Sequence, residues 1–333
     1  MLNLWADPLP LAERPPRQLD ARRAAPAPLY RIDALPNIGG HTPVSAEDVN
    51  QQGWVTGVAY AGDDEWAAYI HLAGQTRLLP GGRFAYSHSL NDRGDVVGTL
   101  DGQACWWPLG DERQMLAGMR RAASINNRGQ IAGSACFDGV NERAALYSDG
   151  RLVDLGTLGG ASSVATAVND AGQVGGYSQL ASGEVHAFVW QPLLGLLDLG
   201  TLGGADSRCA AINARGQVLG CSDDGDCDST AFICTGGEMT ALPTVGEMDL
   251  AVFSLNRQAE VVGKLTGPNG QWIASLTRAG RTRRLMNLLD DSGAEWQALS
   301  VALGINDAGQ IVGVGQRKRE CTERAFIATP LPR

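Results

Sequence analysis

The chain has 333 residues, of which 44% are hydrophobic and 19% are charged, and it carries a formal net charge of −9. The acidic balance argues against nonspecific binding to nucleic acid and favours partners with a basic surface. The sequence contains no apolar run of 18 residues, so it predicts no membrane-spanning helix.

Residues 1–28 differ in composition from the rest of the chain. They hold six of the 15 prolines and four arginines, and they predict a flexible arm. A secretory signal begins with basic residues and continues into an apolar segment. Met1–Leu11 has no leading basic residue and is interrupted by Asp7, and no apolar run follows Arg22 and Arg23. The sequence therefore predicts a cytoplasmic protein.

A short motif recurs after residue 49, with an Asn, a Gly three residues later and a second Gly seven residues later. Its copies begin, 35 to 50 residues apart, at Asn50, Asn91, Asn126, Asn169, Asn213, Asn256 and Asn306. The sixth copy has Ala259 in place of the first Gly. A repeat of about 43 residues lies within the range of propeller blades.

The residue types of one unit predict four strands. A short apolar strand precedes the Asn, whose side chain starts a tight turn that the first Gly closes. An alternating strand follows, and its Gly permits close approach of a neighbouring backbone. A third strand carries an aromatic or apolar pair, as in Ala187–Trp190, and a fourth lies between Leu194 and Leu202. Seven such units predict an all-β fold, a seven-bladed β-propeller of four-stranded blades.

The two ends of the repeat region complement each other. Tyr30–Leu35 precedes a Gly-Gly loop like those after later fourth strands, so it reads as a fourth strand without a first three. Ala325–Pro330 reads as a third strand without a fourth. We therefore predict one propeller domain over residues 29–333, closed by an N-terminal strand that completes the last blade.

Two central units resemble a known repeat. His186-Ala-Phe188, followed by Asp198–Gly204 and then by Ile212 and Asn213, resembles the bacterial HAF repeat. The resemblance extends from about residue 34 to residue 328 and is strongest in units four and five. That family is generally described as extracellular and of unknown activity, so the resemblance implies a fold and no chemistry. The absence of a predicted export signal departs from the family.

Two charged connections are candidate binding sites: an acidic loop in unit five and a basic segment in unit seven. The acidic loop is rich in the oxygen ligands that a hard cation prefers. It lacks the spacing of a calcium-binding loop, however, and this favours a solvated hairpin over a metal site. The basic segment in the equivalent loop of unit seven is either a contact for an acidic partner or a solvated hairpin. The acidic loop contains Asp223, Asp224, Asp226 and Asp228, and the basic segment contains Arg317, Lys318 and Arg319.

Little in the sequence predicts catalysis. His41 follows a Gly-Gly loop at the expected channel mouth, but no Ser or Cys nucleophile motif accompanies it. The seven cysteines are irregularly spaced and predict free thiols, although Cys221 and Cys227 could pair in an exported protein. Most tryptophans fall on or beside strands, which favours packing between blades over a sugar-stacking platform. We predict neither a cofactor nor a metal site.

The variable connections predict where a partner binds. Connections from the second to the third strand, and from the fourth strand to the next blade, emerge on one face of a propeller. We call this the variable face, and the opposite face, which carries the Asn–Gly hairpins, the Asn face. We predict a non-catalytic protein-binding scaffold, such as an inhibitor or immunity-type protein that neutralises a toxin. A carbohydrate-binding or polysaccharide-cleaving propeller and a structural module of a cell-envelope protein are the alternatives.

Overall fold

A computed structural model describes residues 29–62, 65–225, 229–243, 245–246 and 248–332. These residues form seven four-stranded antiparallel sheets and two short 3-10 helices, Leu285–Leu288 and Asp291–Glu295. The predicted seven-bladed propeller is confirmed. The prediction of a flexible arm concerns residues 1–28, which lie outside the described residues.

The strands follow the chain blade by blade. Blade 1 contains β2 Thr42–Val49, β3 Val55–Gly62, β4 Glu65–Leu72 and β5 Gln75–Leu78, blade 2 contains β6 Ala85–Leu90, β7 Val96–Leu100, β8 Gln103–Trp107 and β9 Gln114–Met115, and blade 3 contains β10 Met119–Ile125, β11 Ile131–Cys136, β12 Glu142–Ser148 and β13 Arg151–Gly156. Blade 4 contains β14 Gly159–Val168, β15 Val174–Leu180, β16 Val185–Gln191 and β17 Gly195–Asp198, and blade 5 contains β18 Ser207–Ile212, β19 Val218–Asp223, β20 Ser229–Thr235 and β21 Glu238–Ala241. Blade 6 contains β22 Asp249–Leu255, β23 Val261–Thr266, β24 Trp272–Arg278 and β25 Arg281–Arg284, and blade 7 contains β26 Trp296–Ile305, β27 Ile311–Arg317, β28 Glu323–Pro330 and β1 Tyr30–Ala34.

The first strand of each blade lies innermost, against the first strands of its two neighbours. Hydrophobic clusters fill the space between blades; one of them joins Phe188 of blade 4 to Leu146 of blade 3. The second-to-third-strand connections are short, because the flanking strands extend far towards the variable face. In blade 3, for example, β11 ends at Cys136 and β12 begins at Glu142.

A bulge in the first strand explains the second Gly of the motif. In blade 4 the pairing of β14 with β15 shifts register between Ala165 and Ala167, opposite Gly176. A Cβ added at Gly176 would lie 2.2 Å from the carbonyl oxygen of Val164 and 2.6 Å from the ring of Phe188. All seven blades repeat this close approach to the first strand, at 1.8 to 2.2 Å. Only Gly fits beneath the bulged strand, as the sequence predicted.

The ring closes through β1 as predicted. Tyr30 pairs with Pro330 and Ala34 pairs with Phe326, and the N–H of Leu35 donates to the carbonyl oxygen of Ala325 at 3.1 Å. The guanidinium group of Arg324 also donates to the carbonyl oxygen of Leu35 at 2.9 Å. Backbone pairing and a buried cation together therefore attach the N-terminal strand to the last blade.

Removing β1 tests the closure. Tyr30 and Ile32 are buried in the cluster that joins blades 6 and 7. We expect deletion of residues 1–36 to lower the free energy of unfolding by at least about 4 kcal/mol, from the loss of these two side chains alone. Deletion of residues 1–27 leaves β1 in place and should preserve stability. Equal urea midpoints for the two truncated proteins would contradict the closed ring.

Ala259 tests the turn geometry. The first Gly of the motif adopts a positive φ, for example +75° at Gly216, and Ala259 is held at +58° in the same turn. Because this conformation strains any residue with a Cβ, we expect Ala259→Gly to stabilise the protein by about 1 kcal/mol. The reverse change, Gly216→Ala, should destabilise it by a similar amount in urea unfolding. An Ala259→Gly protein less stable than the parent would show that Ala259 makes a compensating contact.

Candidate functional site

Seven hydrogen bonds join the motif asparagines into a closed ring. Each side-chain Nδ2 donates to the backbone oxygen of the motif Asn in the next blade, at 2.8 to 3.2 Å. The last bond, from Asn306 to Asn50, completes the circle at 2.8 Å. Each Oδ1 accepts the backbone N–H four residues later, as from Gln217 to Asn213. The sequence predicted the turn but not the ring.

A second set of bonds runs beside this ring, one residue further along the chain. The N–H of Gln51 donates to Asp92, that of Asp92 to Asn127, and that of Asn127 to Asp170, at 2.7 to 2.9 Å. The series is interrupted at Ala214, whose side chain has no acceptor. Many polar groups on the Asn face are thus engaged within the ring, which gives this face a structural role.

The bulged residue of each first strand lines the central channel. It stands three positions before the motif Asn, and in the seven blades it is Glu47, His88, Ala123, Thr166, Ala210, Phe253 and Leu303. The channel cavity measures about 410 Å³. Only blades 1 and 2 place an ionisable side chain at this position.

The surroundings of Glu47 and His88 shift both side chains towards their neutral forms. Burial raises the pKa of Glu47, the hydroxyl of Ser45 that donates to it at 2.6 Å lowers it, and nearby Asp48 raises it further. Burial lowers the pKa of His88, the hydrogen bond with the carbonyl oxygen of Ala122 raises it, and nearby Arg121 lowers it further. The Nδ1 of His88 lies 2.9 Å from the carbonyl oxygen of Ala122, which places the proton on Nδ1 and leaves Nε2 as an acceptor.

A pocket of about 480 Å³ opens at the variable-face end of these first strands. It is lined by Glu47, Val58, Tyr86, Ser87, His88, Thr99, Arg120 and Arg121. Neighbouring residues of a regular strand face opposite sides, but β10 shifts register between Met119 and Arg121. The shift allows both arginines to line the pocket. Both are exposed, and no described residue forms an ion pair with either of them.

An aromatic cluster adjoins this pocket through Tyr86 and is called its rim below. The ring of Trp66 packs against Tyr60, with 4.8 Å between centroids, and stacks on Tyr86 at 6.3 Å with an interplanar angle of 27°. Tyr86 also lines the pocket, so it links the two features. We call the pocket and this cluster the arginine–aromatic site.

The predicted acidic loop lies on the variable face of blade 5. The carbonyl oxygen of Asp223 accepts the N–H of Gly204 at 3.1 Å, and the carboxylate of Asp224 accepts the hydroxyl of Thr230 at 2.9 Å. These bonds attach the loop to its own blade. The remaining predicted residues of the loop, Asp226 and Asp228, lie outside the described residues, as does Cys227.

The basic segment and His41 lie elsewhere on the same face. In blade 7, Arg317 forms ion pairs with Glu320, at 2.9 Å, and with Glu295, and the N–H of Lys318 donates to the carbonyl oxygen of Glu295 at 2.9 Å. Arg319 adopts a φ of +70° in the same loop.

His41, in the connection between β1 and β2, has its Nε2 3.7 Å from Glu65. The acidic loop belongs to blade 5, the basic segment to blade 7 and His41 to the junction with blade 1. The predicted residues therefore share a face without forming one cluster.

No motif in the sequence indicated the arginine–aromatic site. A comparison of the seven units at the position three residues before the Asn would have singled out Glu47 and His88, since the other units have apolar or neutral residues there. Arg120 and Arg121 carry no such signal, because their shared orientation depends on the bulge.

Among the described residues, no group of three or more His, Cys, Asp or Glu residues is arranged to hold a metal ion. In the same part of the chain, no helix is long and apolar enough to cross a membrane.

No protein-family model and no curated protein matches the chain. Solved propeller structures do match. A TolB protein from Agrobacterium tumefaciens has a TM-score of 0.51 at 10% identity, covering 78% of this chain and 95% of that chain. The propeller domain of the Trilobed protease from Pyrococcus furiosus has a TM-score of 0.55 at 8% identity, covering 92% and 98%. A structure of YCF48 bound to D1 peptide has a TM-score of 0.52 at 11% identity, covering 91% and 96%.

Identities this low establish similarity of fold alone. The Pyrococcus furiosus domain is described as having an open velcro topology, whereas β1 closes the ring here. The chain spans 65% of a second TolB chain, from Acinetobacter baumannii, and about half the length of the peptidases that it also matches.

The asparagine ring yields a stability prediction. Asn213→Ala removes bonds to the N–H groups of Arg215 and Gln217, to the side chain of Gln217 and to the carbonyl oxygen of Asn256. We expect a loss of about 3 kcal/mol in urea unfolding, because several buried groups lose their partners. Asn141→Ala, in an exposed loop, should change stability by less than about 0.5 kcal/mol. Similar small losses in both variants would show that the ring contributes little to stability.

Proposed function

We propose that this chain is a non-catalytic protein-binding scaffold whose partner docks on the variable face. The observation that carries the proposal is the difference between the two faces. Many polar groups of the Asn face are used within the ring, and its most exposed large apolar residues, Leu193 and Leu194, are aliphatic. The connections of the variable face instead expose aromatic side chains. Phe84 and Phe137 are 40% exposed, Trp272 is 54% exposed and Val140 is 82% exposed.

Exposed aromatic side chains beside cations are typical of the energetically important residues of protein interfaces. The ammonium group of Lys264 lies 3.5 Å from the ring centroid of Trp272 on blade 6. In blades 1 to 3, half-buried Tyr86, which stacks on Trp66, lines a pocket together with Arg120 and Arg121. Two such clusters, carried by a rigid frame, provide separate anchor points for one large partner.

The charge of the chain favours a partner with a basic surface. The net charge is −9, and the acidic loop presents Asp223 and Asp224 on the variable face. Opposite charges on two partners mainly raise their association rate. An inhibitor or immunity-type protein that masks a toxin in the cytoplasm is the specific form of this proposal. The structure of YCF48 bound to D1 peptide supports the more general proposal of protein binding, as a case in which a protein of similar fold holds a peptide.

Carbohydrate binding is the second candidate. Its support is the presence of an aromatic ring, Tyr86, and a carboxyl group, Glu47, in the pocket at the channel mouth. Cleavage of a polysaccharide generally uses a pair of carboxyl groups, and Glu47 is the one Asp or Glu among the residues that line this pocket. The pocket therefore supports binding of a sugar more than its hydrolysis.

Charge reversal in the acidic loop tests the protein-binding proposal. The immobilised chain would be used to capture a partner, which would then be purified for kinetic measurements. We expect the combined change of Asp223, Asp224, Asp226 and Asp228 to Lys to slow association about tenfold at low ionic strength, and less as salt rises.

Glu238→Lys supplies the matched control, since Glu238 is exposed on the Asn face of the same blade. A partner whose association is slowed by Glu238→Lys, and not by the loop variant, would bind the Asn face and contradict the proposal. Failure to isolate any partner, together with binding of a purified oligosaccharide, would favour the second candidate.

A further inference from the structure

We propose that the arginine–aromatic site binds an acidic residue of an extended peptide segment, with Arg120 and Arg121 engaging its carboxylate. This inference rests on the proposed protein-binding function, because the segment belongs to the protein partner. Blades 1 to 3 would then carry a positively charged binding pocket on a chain whose net charge is negative.

The charge of the pocket favours an anionic group. Two guanidinium groups line it, against the single carboxyl group of Glu47. Each guanidinium presents several N–H donors in a planar array that matches a carboxylate. Because no described residue forms an ion pair with Arg120 or Arg121, their donors are available to a ligand. An incoming carboxylate would meet two cations without displacing an ion pair of the described residues.

The opposite wall offers acceptors. The Nδ1–H of His88 is used by the carbonyl oxygen of Ala122, which leaves Nε2 with a lone pair. One carboxyl oxygen of Glu47 accepts from Ser45, which leaves the other oxygen for a donor. A ligand that satisfies both walls carries a negative group and a hydrogen-bond donor close together. A peptide residue with an acidic side chain and a backbone N–H has this combination, whereas a fully ionised inorganic anion does not.

The rim favours a peptide over an acidic sugar. Trp66 stacks on one face of Tyr86 and packs against Tyr60, which leaves less aromatic face for a sugar ring than edge for a peptide side chain. The edges of this cluster, together with exposed Phe84 at the junction of blades 1 and 2, suit an apolar side chain that flanks the acidic residue. The combination of a cationic pocket and an apolar rim therefore selects an acidic residue next to a large apolar one.

The test uses two labelled peptides that differ in one group. The peptide Gly-Phe-Glu-Gly-Ser-amide, with a fluorophore on its N-terminal amine, carries the carboxylate, and the same labelled peptide with Gln in place of Glu does not. We expect fluorescence anisotropy with the full chain to show about tenfold tighter binding of the Glu peptide, the effect of one charge-assisted hydrogen-bond pair. Arg120→Ala and Arg121→Ala should each reduce or abolish that preference.

Arg151→Ala is the matched control, because Arg151 is exposed on the outer strand of blade 3 and does not line the pocket. It should leave binding of both peptides unchanged, and thermal melts should confirm that all variants fold. Equal affinity for the Glu and Gln peptides, or no binding of either at millimolar concentration, would overturn the inference.

Two further results would distinguish failure of this inference from failure of the proposed protein-binding function. Arginine-dependent binding of oligogalacturonate, without binding of the Glu peptide, would make the pocket a site for acidic sugars and overturn the inference. A purified protein partner that binds the Arg120→Ala and Arg121→Ala proteins as tightly as the parent would preserve the proposed function while overturning the inference. A Glu-specific peptide preference that requires both arginines supports the inference even before a natural partner is known.

Discussion

The closed ring of asparagine hydrogen bonds is the constraint on which the rest of this structure depends. Each carboxamide joins its own turn through Oδ1 and the next blade through Nδ2. Asp has no donor for the second bond, and Ser is too short to serve both sites. The last bond, from Asn306 to Asn50, closes the circle. The same Asn-to-Asn contact therefore sets the spacing between each pair of neighbouring blades. The loops outside the ring are thereby free to vary.

The bulge in each first strand creates a position where a functional side chain can face the channel. A regular first strand would pack each side chain against a neighbouring blade. The bulge turns one residue per blade into the channel, and it needs a Gly in the second strand to make room. The repeated Asn and Gly residues thus support a bulged position whose residue type can differ from blade to blade. Glu47 and His88 occupy that position in blades 1 and 2, next to the arginines of blade 3.

The fold could be predicted because its signals are local. Asn169, Gly172 and Gly176 each have a conformational role that can be derived from residue type alone. Closure could be predicted because Tyr30–Leu35 has the pattern of a fourth strand. The candidate site could not be predicted in the same way. Which of its side chains lie together depends on the pairing register of the strands, and the sequence does not show that register. Arg120 and Arg121 share a pocket only because β10 is bulged, and Arg317 is paired with Glu295, which lies 22 residues away in the chain.

The pairing of β1 with β28 also determines how the ring responds to force. The strands are antiparallel, and the N–H of Leu331 donates to the carbonyl oxygen of Leu29 at 2.9 Å, so both strand ends leave blade 7 at the same point. Tension applied between these two residues would load the nearest hydrogen bond first and pass to the next only after it breaks. The hydrogen bonds between β1 and β28 would therefore break one at a time, at lower force than in a junction whose bonds bear the load together. Blade 7 is the one blade of the ring whose strands are not consecutive in the chain.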